Sequence, residues 1–339
     1  MSITEVAFVA RAVESAPEQA IEGRSQWSLT WRRLRSDRVS MVSIGVIVFV
    51  ALAALGAPLI AALLHHGEYQ PFTTSGTTSF GQPVGPGVHG FPLGTDFLGR
   101  DLLVRIMYGA RISLEVGIFS TAAAAILGTS IGLMAGYFGG WIDQVLARFI
   151  DAALAFPLIV LSLALAAVLH PSLGIVLGVI TFFSWAGISR VVRGQTLSLK
   201  EKEYIEAARS LGAGPWRIMF IDILPNVLGP VLVLATLFIP TAVSFEATLS
   251  YLGIGIPPPA PSWGNLLAEA QQHITSWWYV VFPAAALLMT TLAFNLLGDG
   301  IRDAMDPRTE RLLAGSKLGR RRQRRKALAA AGAATSEVS

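Results

Sequence analysis

The chain has 339 residues, of which 53% are hydrophobic and only 14% are charged, and its mean hydropathy is +0.57. Soluble domains carry roughly 25% charged residues, so this composition excludes an ordinary soluble protein and predicts several membrane crossings. Cysteine is absent, which excludes disulfides, thiolate nucleophiles and cysteine-ligated metals. The net charge of +4 is small and unevenly placed, and we interpret the basic runs as signals of membrane orientation rather than as a nucleic-acid surface.

Residues 1–39 are predicted to form a cytoplasmic N-terminal tail. They lack the basic start, apolar run and small-residue cleavage site of a signal peptide. The segment from Trp27 to Arg38 is basic and aromatic, a composition that suits the headgroup zone of the cytoplasmic leaflet. We expect residues 40–111 to hold the first span and an extracytoplasmic loop, residues 112–300 a core of five further spans, and residues 301–339 a basic cytoplasmic tail.

Six stretches are apolar and long enough to cross a hydrocarbon core, which needs about 20 residues. They are residues 41–64, 112–137, 145–169, 173–194, 226–252 and 280–298. Lys and Arg are absent from residues 65–95 and from the segment between Arg217 and Arg302, so the positive-inside rule places these loops outside. The sequence therefore predicts an all-α, polytopic membrane protein with both termini in the cytoplasm.

Charged residues of both signs precede the second span. Asp96, Arg100, Asp101, Arg105 and Arg111 have helical spacings, so pairing could hold a short surface helix. We interpret most of these charges as a solvated face, with at most one or two taking part in substrate passage. The adjacent His65 and His66 are interpreted as a solvated pair rather than a metal site.

Polar residues inside spans are costly, and each therefore carries a hypothesis about function. Glu246 lies in the fifth predicted span and Asn295 in the sixth, and both are candidates for lining a translocation path. A packing hydrogen bond is the alternative for Glu246. Asp299, Arg302, Asp303 and Asp306 are expected to form a charge network at the cytoplasmic end of the last span.

Two further patterns concern packing between helices. Gly128, Gly132 and Gly136 lie four residues apart, a ridge of small residues that predicts close internal approach of two helix backbones. Arg148 and Asp151 are spaced for a pair within one helix, which would ease their burial in the third span.

The segment from Tyr204 to Pro225 interrupts two hydrophobic blocks and predicts two short helical pieces. The first contains the helix formers Glu206, Ala207 and Ala208, and Gly212 allows a turn after it. We expect Ile218, Ile221 and Leu224 to share one apolar face of the second piece, before Pro225 begins the next span. Such a helix–turn–helix is suited to docking into a soluble partner.

This segment resembles the EAA loop of bacterial ABC importer permeases. The resemblance rests on Glu206-Ala207-Ala208, Gly212 and Leu224-Pro225, and the loop spans residues 200–225. It departs from the family pattern at Asp222, where Ile is favoured, and we expect a small change of face there. Three further segments resemble the C-type permeases of dipeptide, oligopeptide and nickel importers, so that the likeness covers about residues 28–312: Leu93–Leu114, Phe245–Trp263 and Phe294–Arg308.

The resemblance implies a type I ABC importer permease fold in a bacterial inner membrane. It also implies that the loop docks on ATPase subunits, which bind ATP, and that a B-type permease and an extracytoplasmic solute-binding protein complete the importer. Di- or oligopeptides are the expected substrates, and nickel chelates or another small solute are the alternative. A proton-coupled secondary transporter using Glu246 or Asp151 and a purely structural scaffold are rivals. The sequence contains no phosphate loop, so we expect a transport subunit without enzymatic activity, cofactor or metal.

Overall fold

The computed structural model describes residues 26–305, and within this range the chain is helical, with two isolated β-bridges and no β-strand. We number the helices in chain order and treat the continuous segment Pro215–Tyr251 as one helix. They are α1 (Gln26–Ser36), α2 (Arg38–Leu64), α3 (Leu102–Phe138), α4 (Gly140–Ala155), α5 (Leu158–Val168), α6 (Leu173–Leu199), α7 (Glu203–Ser210), α8 (Pro215–Tyr251), α9 (Trp263–Ala270) and α10 (Trp277–Met305).

Five helices in the described range are long and apolar enough to cross a membrane: α2, α3, α6, α8 and α10. A sixth span is present if α4 and α5 are counted together as one broken span. The predicted all-α fold is therefore confirmed. The predicted number of six spans agrees with the structure if the broken pair of α4 and α5 is counted as the third span.

The third span is not the single helix expected over residues 145–169. The axes of α4 and α5 differ in direction by 80° across a short break. Pro157 lies in the break, and the preceding Phe156 has an extended backbone with φ −79° and ψ 130°. Because a proline ring disfavours the helical conformation of the residue before it, this local sequence ends α4.

Five helices begin earlier than the hydrophobic pattern suggested: α2, α3, α4, α8 and α10. Helix α3 begins at Leu102 because the side chain of Asp101 accepts hydrogen bonds from the backbone N–H groups of Leu103 and Val104. Helix α8 includes the second piece of the EAA-like loop and continues without interruption into the fifth span. Helix α10 begins at Trp277 rather than near residue 280.

The glycine ridge of α3 packs against α6, which confirms the predicted internal contact. A methyl group added to Gly128 would lie 2.6 Å from the carbonyl oxygen of Trp185, and one added to Gly132 would lie 2.7 Å from that of Ser189. These glycines let the two backbones approach more closely than any larger residue would allow.

The expected pairing of Arg148 with Asp151 is wrong. The carboxylate of Asp151 instead accepts a hydrogen bond from Arg190 at 2.7 Å, and Asp143 pairs with Arg193. Both pairs join α4 to α6, because the tertiary fold places arginines of the neighbouring helix beside these carboxylates.

The expected charge network at the end of α10 does not form within the described range. Asp299, Arg302 and Asp303 are exposed and make no ion pair with one another there. The side chains point outward because Ala304 occupies the buried position of this turn. Asp306 lies outside the described residues.

Candidate functional site

The EAA-like loop contains helix α7, in which only Ile205 is fully buried. Ile205 is fully buried, whereas Glu206 and Ala207 are exposed and Ala208 is half-buried. Gly212 has φ +82°, a conformation that glycine adopts without steric cost, and it turns the chain from α7 toward α8. The predicted turn therefore lies at the predicted residue.

The apolar face expected at the start of α8 has a different register. Ile218, Met219 and Ile223 are buried, but Ile221 is 59% exposed. Residues Ile218–Ile223 form a π-helical turn, whose wider spacing changes which side chains share a face. Leu224 is half-buried and Pro225 is exposed.

Asp222 lies within the same π turn and is half-buried. Its Oδ2 atom has no hydrogen-bond partner within the described part of the chain. The neighbouring Ile221 and Ile223 point to opposite environments, one exposed and one buried. The departure from the family pattern is thus accommodated in a locally widened helix.

Five large apolar side chains of the loop are exposed, and we call them together the loop surface. It consists of Tyr204, Leu211, Trp216, Phe220 and Ile221, with exposed fractions between 46% and 89%. The rings of Trp216 and Phe220 stack with centroids 6.1 Å apart. A cluster of large apolar side chains beside exposed charges is typical of a protein-docking surface.

Asn295 lines a groove between α8 and α10 with a volume of about 350 Å³. Facing it from α8 are Thr241, Ser244 and Thr248, which form an exposed row of hydroxyl groups along one helix face. The hydroxyls of Thr241 and Thr248 donate to carbonyl oxygens one turn earlier, which satisfies their protons and leaves lone pairs free to accept. Pro240 and Phe245 complete the lining, so the groove is partly polar and partly apolar, and none of its lining side chains is charged.

Glu246 lies on the other side of α8 and is fully buried between α8 and α3. Its carboxylate accepts hydrogen bonds from the hydroxyls of Ser113 at 2.8 Å and Ser250 at 2.7 Å. The structure therefore does not bring Glu246 and Asn295 together. These contacts favour the packing alternative for Glu246.

A buried charge cluster joins the segment before α3 to the segment between α8 and α10, the two that the sequence predicts to be extracytoplasmic, and we call it the outer cluster. Arg105 donates to Asp96 at 2.5 Å and to Glu269 at 2.6 Å, while Arg100 donates to Asp96 at 2.6 Å. The Tyr279 hydroxyl donates to Glu269 at 2.6 Å. Asp96, Arg100 and Arg105 are all buried, so the expectation of a solvated face is wrong for these residues.

The fold assembles this cluster from residues far apart in sequence. Arg105 lies on α3, Glu269 on α9 and Tyr279 on α10. Burial alone would raise the pKa of Glu269, but the hydrogen bond from Arg105 and the charges of Arg105 and Arg100 lower it. The sequence contains one indication of this pairing. Glu269 lies in a long segment without Lys or Arg, so a basic partner for its carboxylate had to come from a distant part of the chain.

The expectation of a solvated histidine pair is also wrong for His66. Its Nδ1 atom lies 2.6 Å from the Asp101 carboxylate, and its ring stacks on Phe91 at 4.8 Å. It is therefore packed rather than solvated, while His65 remains exposed at the end of α2. Within residues 26–305 there is no group of three or more His, Asp or Glu side chains suited to holding a metal ion.

These features define a polytopic membrane protein with a groove free of charged lining residues and an exposed apolar loop surface. Residues 128–311 match the family described as binding-protein-dependent transport system inner membrane component. Residues 25–82 match the N-terminal TM domain of oligopeptide transport permease C. The chain belongs to this family of ABC importer permeases, which argues against a proton-coupled secondary transporter and against a structural scaffold.

Several relatives share most of the chain. It is 40% identical to the dipeptide transport system permease protein DppC of Alkalihalophilus pseudofirmus, covering 86% of this chain and 93% of the relative. It is 38% identical to the oligopeptide transport system permease protein OppC of Haemophilus influenzae, covering 89% and 94%. It is 39% identical to the glutathione transport system permease protein GsiD of Pectobacterium atrosepticum, covering 84% and 92%.

Proposed function

We propose that the chain is the C-type permease subunit of an importer for di- or oligopeptides. The names of the relatives support this substrate class, because dipeptides, oligopeptides and glutathione all contain peptide bonds. The observation that carries the coupling role is the exposed loop surface beside Glu206, which is presented by an element continuous with a spanning helix.

The coupling element consists of residues 200–225. Its docking residues are Glu206, Ala207, Ala208, Gly212, Leu224 and Pro225. Closure of the ATPase subunits around ATP would move this loop relative to the bundle. Because α8 runs from the loop into the fifth span, the displacement reaches the groove along one continuous helix.

Asn295 and the hydroxyl row form one wall of the translocation path, and a second permease supplies the other wall. Hydroxyl and amide groups can hydrogen-bond to the peptide bonds shared by all peptides. The absence of charged side chains from this groove suits substrates with varied side chains. Glu246 supports the wall from behind through its two serine contacts.

The remaining parts of the importer lie in other chains. ATP binds to the ATPase subunits, and this chain needs no cofactor and performs no catalysis. A solute-binding protein delivers the substrate at the extracytoplasmic face. The chain is an inner membrane protein, and we propose that both termini lie in the cytoplasm because the basic segments flank the first and last spans.

The coupling role is tested by Gly212→Val. A β-branched residue fits poorly at φ +82°, so the variant should change the angle between α7 and α8. We expect insertion and pairing with the second permease to persist, while copurification of the ATPase subunits and peptide uptake decline. Glu206→Lys should have the same effect through the loss of a carboxylate at the docking face.

The matched control is Gly214→Val. Gly214 has φ −71° and open space around it, so valine is tolerated two residues from the tested position. Normal ATPase copurification and normal uptake in both Gly212→Val and Glu206→Lys, at membrane levels equal to the wild type, would show that this loop is not the coupling element.

A further inference from the structure

An apolar groove of about 360 Å³ lies beneath helix α1, between α8 and α10. Trp31 and Leu34 form its side on α1, Leu232 and Ala235 its side on α8, and Ile301 and Met305 its side on α10. It is separate from the groove that contains Asn295, since the two share no lining residue. Trp31 is 57% exposed, and a Trp in this position is typical of a membrane interface.

Helix α1 is amphipathic and is attached along the end of α10. Leu34 is buried beneath it, and the Arg33 guanidinium donates to the carbonyl oxygen of Ala304 at 3.0 Å. On α1, Arg32 and Arg35 are exposed, and neither forms an ion pair with the part of the chain between residues 26 and 305. Each follows a lining residue of the groove directly in sequence, Arg32 after Trp31 and Arg35 after Leu34, and we call these two arginines the rim of the groove.

We propose that this groove binds an anionic phospholipid of the cytoplasmic leaflet. One acyl chain fills the space between α8 and α10, and the phosphate contacts Arg32 and Arg35. Guanidinium groups bind phosphate through paired hydrogen bonds, and the anionic lipids of this leaflet are complementary in charge to the rim. The choice of leaflet rests on the proposed orientation, whereas the binding of an anionic lipid does not.

The headgroup contact is tested by the double variant Arg32→Gln and Arg35→Gln. The assembled importer is reconstituted into nanodiscs of phosphatidylglycerol and phosphatidylethanolamine, extracted in mild detergent and analysed for bound lipid by native mass spectrometry. We expect the ratio of bound phosphatidylglycerol to phosphatidylethanolamine to decline by about fivefold per arginine removed. The control is Arg111→Gln with Arg148→Gln, which removes two exposed arginines elsewhere.

The acyl-chain contact is tested by Ala235→Phe, which fills the groove without changing charge. We expect it to reduce bound phosphatidylglycerol, whereas Ala122→Phe, at an exposed alanine of α3, should leave it unchanged. The assay measures lipid on the purified complex, so its outcome does not depend on substrate or ATPase coupling.

Two results would overturn the proposal. One is an equal lipid ratio in the wild type, the arginine double variant and its control. The other is loss of the second permease from Ala235→Phe with unchanged lipid binding, which would assign the groove to a protein partner instead.

Discussion

At the scale of single residues, burial decides what each charged side chain does. Glu246 and Glu269 are both acidic groups near or within the bundle, but their surroundings differ. Glu246 contacts serine hydroxyls, whereas Glu269 contacts Arg105, Arg100 and Tyr279. In the first arrangement the acidic group has hydrogen bonds but no cationic partner among residues 26–305, and in the second it is ion-paired, so substitutions at the two positions should have different consequences.

Replacing Glu246 distinguishes packing from a role in the path. Glu246→Gln retains an acceptor oxygen for one serine and an NH2 group that can donate to the hydroxyl oxygen of the other, so it should be close to neutral in assembly and uptake. Glu246→Ala leaves two buried hydroxyls without an acceptor for their protons, at a cost of about 1–3 kcal/mol each, and should reduce the amount of assembled importer. Quantitative blotting and peptide uptake measure both effects. Altered uptake with normal assembly in Glu246→Gln would instead assign this side chain to the path.

The lowered pKa of Glu269 predicts a pH dependence of stability. A carboxyl group whose pKa is lower in the folded state stabilises the fold at pH values above its ordinary pKa of 4.5. This contribution is lost as the pH falls through the lowered pKa. The wild-type unfolding temperature should therefore decline as pH falls below about 4.5. Glu269→Gln should be less stable at neutral pH, because Arg105 loses a charged partner, and should respond less to acid. Parallel pH curves for the two proteins, measured by thermal unfolding in detergent, would contradict this account of the outer cluster.

At the scale of elements, α8 connects the proposed coupling loop to the proposed path. Its first turns carry Trp216 and Phe220 of the loop surface, and its later turns carry Ser244 and Thr248 of the groove. Helix α4, by contrast, ends before Pro157, and the chain changes direction by 80° before α5 begins. A continuous helix transmits a displacement along its length, and a break interrupts it.

The groove on α8 is tested by Asn295→Ala and Ser244→Leu. Both side chains are exposed in the chain by itself, so we expect the importer to assemble normally. Loss of one hydrogen bond of about 1 kcal/mol to the substrate should lower uptake of a labelled tripeptide by about fivefold. Ser130→Leu is the control, since Ser130 is an exposed serine of α3 outside the groove. Equal uptake by all three variants and the wild type would remove this groove from the path.

At the scale of the whole molecule, the predicted orientation places the loop and the outer cluster on opposite sides of the membrane. Cysteines introduced at the exposed Ser79 and Gln271 should react with a membrane-impermeant thiol reagent added outside intact cells. A cysteine at the exposed Ser210 of α7 should react only after the cells are opened. The wild-type chain contains no cysteine and gives no background. Labelling at Ser210 in intact cells would reverse the proposed orientation.

The sequence by itself determined the class of protein, the positions of most spans and the EAA-like loop with its turn at Gly212. These features depend on local composition and on backbone preferences, which a short window of sequence contains. The close approach of α3 and α6 was also predictable, because three glycines at a spacing of four leave one helix face without side chains.

The tertiary structure alone decided which charges are paired. Arg105, Glu269 and Tyr279 come from three helices, and Asp151 pairs with Arg190 rather than with its neighbour Arg148. The tertiary structure also decided that Ile221 is exposed rather than part of the buried face. It likewise separated Glu246, which is buried, from Asn295, which lines the groove. A side chain's partners depend on which helices pack beside it, and that arrangement is set by contacts between residues distant in the chain.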